Sequence, residues 1–251
     1  MKAAVIGAGA WGTALALQLC RNGHETSLWF RDPEKARQAL ETGVNPRLKN
    51  AALPKELDLT ADPMCVRGCR LVVIAAPSFP IRSVCRAVAP WLDPDAVMVS
   101  VTKGIEPGTL LRMSQIVAQE TGHPVVALSG PCHAEEVAVQ VPSGCLAACG
   151  DKALAELVQD AFMSETFRVY TSPDAIGAEL GGALKNVIAL CAGVVTGLGY
   201  GDNTKAMLMT RGLTEMARLG VSIGARKETL AGLSGVGDLI VTCTSVHSRN
   251  R

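Results

Sequence analysis

Lys185 is the residue whose type and setting best suit acid–base chemistry. It lies in a long apolar helical pattern, and its neighbours about one turn away are Gly181, Gly182 and Ile188, so no acid on its own helix pairs with it. Lysines usually extend to water, but a partly desolvated amine can exchange a proton near neutral pH. The glycine-rich segment that precedes Asp238 offers a distant carboxylate as a partner for this amine.

A second informative segment reads Gly7-Ala8-Gly9-Ala10-Trp11-Gly12, directly after a predicted strand and at the start of a predicted helix. This is the context that the dinucleotide-binding fingerprint requires. Gly7 permits the tight turn, Gly9 lets the backbone approach a pyrophosphate, and Gly12 permits close packing of the helix on the strand. The alternative is a plain strand–helix turn that is rich in glycine. Because a helix N-terminus presents unpaired N–H groups to an anion, the segment predicts a dinucleotide site.

The end of the second predicted strand bears on which dinucleotide binds. Arg31 and Asp32 lie 19 and 20 residues beyond Gly12, where an acid would bind the ribose 2′-hydroxyl of NAD and an arginine would accept the 2′-phosphate of NADP. Arg31 therefore favours NADPH over NADH. Asp32 could reverse that preference, although Asp32-Pro33 also has the pattern of a helix N-cap followed by proline at the first helical position.

Polar residues follow other predicted strands and also end the chain. Lys103 comes after the apolar run 97–100, and the segment 129–136 follows the run 125–127. Ligands of open α/β sheets collect beyond the carboxyl ends of the strands, so Lys103 is placed to meet cofactor or substrate, although alone it could equally be a solvated turn lysine. Ser248-Arg249-Asn250 combine a hydroxyl, a guanidinium and an amide, which suits a phosphate but in isolation is also typical of a polar tail.

The elements that must position these residues alternate up to about residue 172, as expected of stacked βα units around a mostly parallel sheet. The sequence predicts strands over residues 2–6, 25–30, 71–76, 97–102, 125–128, 144–149 and 167–171. It predicts helices over residues 13–22, 107–121, 151–163, 176–198 and 207–219. Because strand-like runs stop at about residue 172, we expect a dinucleotide-binding domain over residues 1–172 and a helical substrate-binding domain over residues 173–251.

Composition excludes several classes of function. The 24 Lys and Arg residues against 23 Asp and Glu leave a net charge of +1, so no global field attracts nucleic acid or an anionic membrane. Glycines interrupt the N-terminal run that a signal peptide would need, and the apolar stretch 187–198 is too short to span a bilayer. We therefore expect a soluble protein that binds no nucleic acid and does not insert into a membrane.

The cysteines and histidines favour a reducing compartment without a metal site. Nine is an odd number of cysteines, several of which lie in apolar segments where a thiol acts as a small hydrophobe. The chain has no Cys-x-x-Cys pair, and its four histidines are scattered. These features predict a cytoplasmic location and argue against bound zinc.

Seven motifs together resemble one known family. In chain order they are GAGAWGTALA, VTKG, SGPCHAEEVA, ELGGALKNVIAL, GLGYGDN, TRGLTEMARLG and GVGDLIVTCTSVHSRNR. Over nearly the whole chain they resemble the bacterial NAD(P)-dependent glycerol-3-phosphate dehydrogenase family. The resemblance implies an α/β fold with a Rossmann-type, doubly wound domain, followed by an all-helical domain like that of 6-phosphogluconate dehydrogenase. It also implies a homodimeric enzyme that interconverts dihydroxyacetone phosphate and sn-glycerol 3-phosphate for phospholipid synthesis.

The resemblance implies roles for the residues at matching motif positions. Lys185 resembles the catalytic acid/base, and Asp238 resembles the carboxylate that orients it. Implied cofactor-binding residues are Gly7, Gly9, Ala10, Trp11, Gly12, Arg31, Lys103, Ala134 and Arg249. Implied substrate-binding residues are Lys103, Gly130, Cys132, Lys185, Asn186, Asp238, Thr242, Ser248, Arg249 and Asn250.

The sequence departs from the family pattern in two places. Cys132 stands where the family usually carries Ser or Thr, and His133 replaces a small or apolar neighbour. Because a thiol donates hydrogen bonds weakly, we expect looser phosphate binding and a cysteine that is sensitive to alkylation. The chain also ends at Arg251, where family members continue, so we expect an incomplete helical domain.

Two other functions are compatible with parts of this pattern. One is a related dehydrogenase of the 6-phosphogluconate or 3-hydroxyacid type, whose substrates need a carboxylate clamp rather than the phosphate-type residues 248–250. The other is a non-catalytic dinucleotide-binding protein, against which the presence of both Lys185 and Asp238 argues.

Overall fold

The computed structural model describes residues 1–245, in which strands and helices alternate up to residue 172 and only helices follow. The strands are β1 (Lys2–Ile6), β2 (Glu25–Trp29), β3 (Val44–Asn45), β4 (Leu48–Ala52), β5 (Asp58–Thr60), β6 (Leu71–Ile74), β7 (Val97–Ser100), β8 (Val125–Ser129), β9 (Ser143–Ala148) and β10 (Phe167–Ser172). The α-helices are α1 (Ala10–Arg21), α2 (Pro33–Thr42), α3 (Ile81–Val88), α4 (Met113–Thr121), α5 (Ala134–Ala138), α6 (Lys152–Phe162), α7 (Ala175–Gly197), α8 (Asp202–Ser222), α9 (Lys227–Leu230) and α10 (Asp238–Thr244).

Eight strands form one twisted sheet in the order β10-β9-β8-β7-β6-β1-β2-β5. All neighbours run parallel except β8 and β9, which are antiparallel. From β1 the chain proceeds outward to β2 and β5, and then returns to the other side of β1 with β6. This reversal between β1 and β6 opens a crevice at the carboxyl ends of the strands, where doubly wound sheets bind their ligands. The predicted fold class is thus confirmed.

Alternation along β1 shows how helices cover both faces of the sheet. Ala3 and Val5 join one buried cluster, in which α1 contributes Leu15 and Leu19. Ala4 and Ile6 join a second cluster on the opposite face, which includes residues of α3 and α4. Successive strand side chains point to opposite faces, so an almost entirely apolar strand is what a sheet buried on both sides requires.

Helix boundaries follow local chemistry where the sequence supplies it. Asp32 caps α2 by accepting a hydrogen bond from the Glu34 amide at 3.1 Å, with Pro33 as the first helical residue, as the sequence predicts. The predicted helix 107–121 is wrong in its first turns, because α4 begins only at Met113. Gly108 and Leu110 both adopt positive φ angles, +85° and +59°, and a left-handed backbone interrupts an α-helix.

The prediction omits several elements, namely α3, α5, α9, α10, β5 and the two-stranded antiparallel hairpin of β3 and β4. Of these, α3 does have a helical pattern, because its buried residues Ile81, Val84, Cys85 and Val88 recur at spacings of three and four. The prediction also starts α8 too late, since this helix begins at Asp202. The omitted strands have two to five residues, too short for an alternating pattern to stand out.

Helix α7 is longer than the apolar stretch 187–198, from which the sequence predicts no membrane span. Its 23 residues make it, among the described residues, the one helix long and apolar enough to cross a membrane by length and composition. It packs against α8, α10 and β8, and it carries buried Glu179 and Lys185. Both charged side chains lie in the N-terminal half of α7 and have ion-pair partners elsewhere in the chain, and this half contains most of the buried residues of the helix.

Candidate active site

The glycine-rich turn between β1 and α1 packs closely against backbone atoms, both of the segment that follows β6 and of the turn itself. Gly7 has a φ of +124°, and a Cβ added to it would lie 2.7 Å from the Ala75 carbonyl oxygen. A Cβ on Gly12 would lie only 2.0 Å from the Gly7 oxygen. Gly9 is different, because no heavy atom lies within 4 Å of its added Cβ. Open space at the N-cap of α1 leaves room for a pyrophosphate beside the free amides of the first helical turn.

Asn45 holds this turn in place, although nothing in the sequence singles it out. The buried Asn45 amide donates to the Ala8 carbonyl oxygen at 3.0 Å and to the Thr13 hydroxyl at 2.7 Å. The Thr13 hydroxyl in turn donates to the Gly9 oxygen at 2.8 Å. Two carbonyls of the turn are therefore engaged on the protein side, which leaves its N–H groups available to an anion.

Arg31 and Asp32 have different surroundings beyond the end of β2. Arg31 is exposed, and within residues 1–245 it has no ion pair. The Asp32 carboxylate caps α2 and lies 3.6 Å from the Lys35 amine. Because the Asp32 carboxylate already accepts a hydrogen bond from its own helix and lies beside Lys35, Arg31 is more available than Asp32 to contact a ribose 2′-substituent.

Lys185, Asp238 and Lys103 form one cluster, in which Lys185 and Asp238 are buried and the Lys103 side chain is 28% exposed. The Lys185 amine donates to one oxygen of Asp238, and at 2.7 Å to the Thr242 hydroxyl. The Lys103 amine donates to the other Asp238 oxygen at 2.6 Å and to the Gly130 carbonyl oxygen at 3.3 Å. Lys185 is 7% exposed and Asp238 1%. A lysine pointing into bulk water would have ended the proton-transfer hypothesis, and the structure places it in the interior.

Two glycines let α7 come close enough to assemble this cluster. A Cβ on Gly182 would lie 3.1 Å from the Ser129 hydroxyl and 3.3 Å from the aliphatic carbons of Lys103. A Cβ on Gly181 would lie 2.3 Å from the Ser234 carbonyl oxygen. Lys103 follows β7 and Ser129 ends β8, so α7 crosses the carboxyl ends of these two strands at its glycines.

The cluster sets the proton affinity of Lys185. Burial in the interior, together with the neighbouring Lys103 ammonium, lowers the pKa of its amine from 10.5 to about 8, while Asp238 acts in the opposite direction. Two ammonium groups thus share one carboxylate. An amine with a pKa near 8 is largely protonated at neutral pH yet can release its proton at small cost.

Cys132 is a protected thiol in this structure. Its sulfur donates to the Gly144 carbonyl oxygen at 3.3 Å, and its backbone N–H donates to the Gly130 oxygen at 3.0 Å. Burial raises the pKa of this thiol to about 12, so the thiolate that alkylating agents attack is scarce at neutral pH. The expected sensitivity to alkylation therefore finds no support in the geometry.

The remaining predicted site residues lie at different distances from the cluster. Ala10 and Trp11 open α1, and Ala134 opens α5. Asn186 is exposed on α7, unlike its neighbour Lys185. Ser248, Arg249 and Asn250 lie outside the described residues. A surface groove of about 620 Å³ lies between β10 and α9, and none of the predicted site residues line it. The candidate site is therefore identified by its charged side chains and their contacts and not by the volume of a cavity.

The doubly wound sheet, the glycine-rich turn and the lysine–carboxylate cluster on a crossing helix define the class of dinucleotide-dependent dehydrogenases with a helical second domain. Comparison with known proteins narrows this class. The family model for the N-terminus of NAD-dependent glycerol-3-phosphate dehydrogenase matches residues 2–155, and the model for its C-terminus matches residues 174–251. The chain therefore belongs to the NAD-dependent glycerol-3-phosphate dehydrogenase family.

Individual relatives agree with this assignment. A glycerol-3-phosphate dehydrogenase [NAD(P)+] of Moorella thermoacetica is 52% identical over 250 residues, which cover 99% of this chain and 75% of the relative. Its counterpart from Thermoanaerobacter sp. (strain X514) is 49% identical, covering 100% of this chain and 76% of the relative. The crystal structure of the Coxiella burnetii glycerol-3-phosphate dehydrogenase superposes with a TM-score of 0.94 at 38% identity, covering 99% and 77% of the two chains. The chain thus spans about three-quarters of the length of these relatives.

Proposed function

We propose that this chain is an NAD(P)-dependent sn-glycerol-3-phosphate dehydrogenase, which reduces dihydroxyacetone phosphate to sn-glycerol 3-phosphate for phospholipid synthesis. The observation that carries the proposal is the buried Lys185 amine, paired with Asp238 beside Lys103. Such a group suits a reaction in which a ketone oxygen gains a proton as hydride reaches the adjacent carbon. The names of the relatives support glycerol 3-phosphate as the substrate.

The residues of the glycine-rich turn fit a dinucleotide. The space beside Gly9 admits a pyrophosphate, and the N-terminus of α1 supplies N–H donors and a favourable dipole. When bound there, the nicotinamide group supplies the hydride. We propose that NADPH is preferred over NADH, because Arg31 is free to pair with a 2′-phosphate while Asp32 is engaged in capping α2.

In the proposed mechanism, Lys185 gives its proton to the ketone oxygen as negative charge develops there. Asp238 and Thr242 fix the position of the Lys185 nitrogen through two hydrogen bonds. Lys103 holds the second carboxylate oxygen of Asp238, so the carboxylate cannot rotate away from Lys185. General-acid catalysis of this kind contributes about 10²–10⁴-fold in rate.

We assign the substrate phosphate chiefly to Ser248, Arg249 and Asn250, on the family resemblance. Cys132 contributes little to it, because both its N–H and its thiol already donate to backbone carbonyls. An arginine can grip a phosphate through two parallel hydrogen bonds, so Arg249 supplies most of the binding energy for this group.

The substitution Lys185→Ala tests the proposal. NADPH oxidation with dihydroxyacetone phosphate is followed by absorbance, and turnover is expected to fall by about 10²–10⁴-fold while the circular dichroism spectrum stays unchanged. Lys152→Ala is the matched control, since this lysine is exposed on α6, and it should retain full turnover. Near-normal turnover of Lys185→Ala would refute the role, and reduction of 3-oxoacids instead of the phosphorylated ketone would favour a hydroxyacid dehydrogenase.

We propose that the enzyme is a soluble cytoplasmic homodimer with domains over residues 1–172 and 173–251. All nine cysteines are free thiols, which suits a reducing compartment. The ion pairs of Glu179 and Lys185 support α7 as a core helix rather than a membrane span. Exposed Val187, Leu190 and Val194 on α7 are compatible with a covered face in a larger assembly, which sedimentation equilibrium would detect.

A further inference from the structure

Glu179 is a buried carboxylate on α7 that the proposed mechanism does not use. Its side chain is 5% exposed. One oxygen accepts a hydrogen bond from the Ser114 backbone N–H at 2.7 Å, and the other accepts from the Ser114 hydroxyl at 2.6 Å and pairs with the Arg112 guanidinium. A carboxylate stays ionised in the interior only when donors of this kind surround it. Glu179 therefore joins α7 firmly to the N-terminus of α4.

The segment that precedes α4 connects this junction to Lys103. Ile105 and Arg112 form an antiparallel bridge, and the Glu106 N–H donates to the Leu111 oxygen at 2.9 Å. Residues 103–112 are thus folded back on themselves, with Lys103 at one end and Arg112 at the other. Ile105 also packs against the cluster that contains Leu180, the neighbour of Glu179 on α7.

The same helix carries Lys185 six residues after Glu179, about 9 Å further along the helix axis. The two lysines meet at Asp238 from different elements, Lys103 from the connection after β7 and Lys185 from α7. We propose that Glu179 is a positioning residue for ketone reduction: its contacts with Arg112 and Ser114 hold the connection of Lys103 against the helix of Lys185. This inference rests on the proposed function.

Loosening the junction has an electrostatic consequence at Lys185. The groups that face this amine are Asp238, the Thr242 hydroxyl, the Lys103 ammonium and the Cys243 thiol. Lys103 lowers the pKa of Lys185, so moving Lys103 away raises that pKa. A role confined to stability would leave the pKa of Lys185 in the folded protein unchanged.

The experiment compares Glu179→Gln with Glu156→Gln. Glutamine keeps the shape of Glu179 and can still accept from Ser114, but it leaves Arg112 without a counter-charge. Glu156→Gln is the control, because it makes the same substitution in a carboxylate that pairs with a basic residue, Lys152, on α6, outside both α7 and residues 103–112. The measurements are kcat, KM for NADPH, the pH profile of kcat, and the pKa of Lys185 from competitive acetylation followed by mass spectrometry.

For Glu179→Gln we expect kcat to fall about 10- to 100-fold, as misplacement of reacting groups by about 1 Å can cause. The fall in kcat should exceed any rise in KM for NADPH, and the pKa of Lys185 should rise. Glu156→Gln should resemble the wild type in all four measurements, and Arg112→Lys, which keeps the charge, should be affected less than Glu179→Gln. If Glu179→Gln fails to fold, Ser114→Ala removes one of the three contacts and should shift the same measurements in the same direction.

Two outcomes would overturn the proposal. One is a Glu179→Gln enzyme with wild-type kcat and an unchanged Lys185 pKa. The other is a loss of kcat that matches the loss of folded protein, with the Lys185 pKa unchanged. If the wild type does not reduce dihydroxyacetone phosphate, the proposed function is wrong, but the acetylation measurement still decides whether Glu179 holds Lys103 near Lys185.

Discussion

Raising the pH through the pKa of Lys185 should switch off ketone reduction, because the proton to be donated is lost. Burial, reinforced by Lys103, lowers this pKa from 10.5 to about 8. Each pKa unit corresponds to about 1.4 kcal/mol, so the folded protein disfavours the ammonium by about 3 kcal/mol. Above pH 8 the rate of reduction should fall about tenfold per pH unit, whereas an unperturbed lysine would sustain it to beyond pH 10.

The substitution Lys103→Met separates the two causes of the lowered pKa. Removing the Lys103 ammonium leaves burial as the main cause, so the alkaline limb of the profile should move to higher pH, even though the variant is slower. Lys152→Met, which removes an exposed lysine on α6, should leave the limb in place. The assay is initial-rate NADPH oxidation at subsaturating dihydroxyacetone phosphate across the pH range, which reports kcat/KM and therefore the pKa of the free enzyme. A profile that stays flat through pH 9, or a limb that does not move in Lys103→Met, would contradict this account of the site.

The same pKa makes a linked prediction for stability. Between pH 8 and pH 10.5 the unfolded chain binds a proton at residue 185 that the folded chain has released. Stability therefore rises with pH across this window, and the penalty of about 3 kcal/mol is present in full only below pH 8. The difference in unfolding free energy between wild type and Lys185→Met, measured by urea denaturation at several pH values, isolates this contribution from that of the titrating cysteines.

Three further predictions concern other parts of the molecule. Gly12→Ala should destabilise the fold by about 1–3 kcal/mol, because its Cβ would lie 2.0 Å from the Gly7 oxygen. Gly9→Ala should keep the wild-type Tm, since its Cβ enters open space, but it should weaken NADPH binding in a calorimetric titration. Arg31→Ala should raise KM for NADPH by about 10- to 100-fold and leave KM for NADH nearly unchanged; equal effects on both cofactors would exclude the 2′-phosphate contact. Iodoacetamide at neutral pH should label exposed Cys191 before Cys132, whose thiol is held protonated by burial, and peptide mapping that finds Cys132 first would show that its pocket opens.

The sequence predicts those parts of the fold that leave local patterns. The buried strands are short apolar runs, the turn at Gly7 needs a positive φ, and the cap at Asp32 precedes a proline. The start of α4 escapes prediction because Pro107 is a plausible first helical residue, and the left-handed backbone at Gly108 and Leu110 shows otherwise. The antiparallel pairing of β8 with β9 also lacks a local signal, because the direction of a strand depends on how the chain is connected and not on the residues within the strand.

The candidate site is predictable in its chemistry but not in all of its supports. Lys185 draws attention because no acid lies about one turn away from it on its helix, and Asp238 is 53 residues away along the chain. The contact between Glu179 and Ser114 spans 65 residues, and that between Asn45 and Ala8 spans 37. A glutamate on an apolar helix or an asparagine in a short hairpin has no distinctive sequence pattern, so residues that hold the site together emerge only from tertiary contacts.

The charge of the cluster explains why a phosphorylated substrate suits it. The whole chain carries a net charge of +1, yet two ammonium groups face the single Asp238 carboxylate in the interior. The Lys103 ammonium supplies this excess positive charge and thereby lowers the pKa of Lys185. An incoming phosphate dianion would offset the excess charge. We therefore expect substrate binding to raise the pKa of Lys185 above its value in the free protein and so to favour the protonated amine that reduction consumes. Since kcat/KM reports the free enzyme and kcat reports the complex, the alkaline limb of kcat/KM should lie at lower pH than that of kcat.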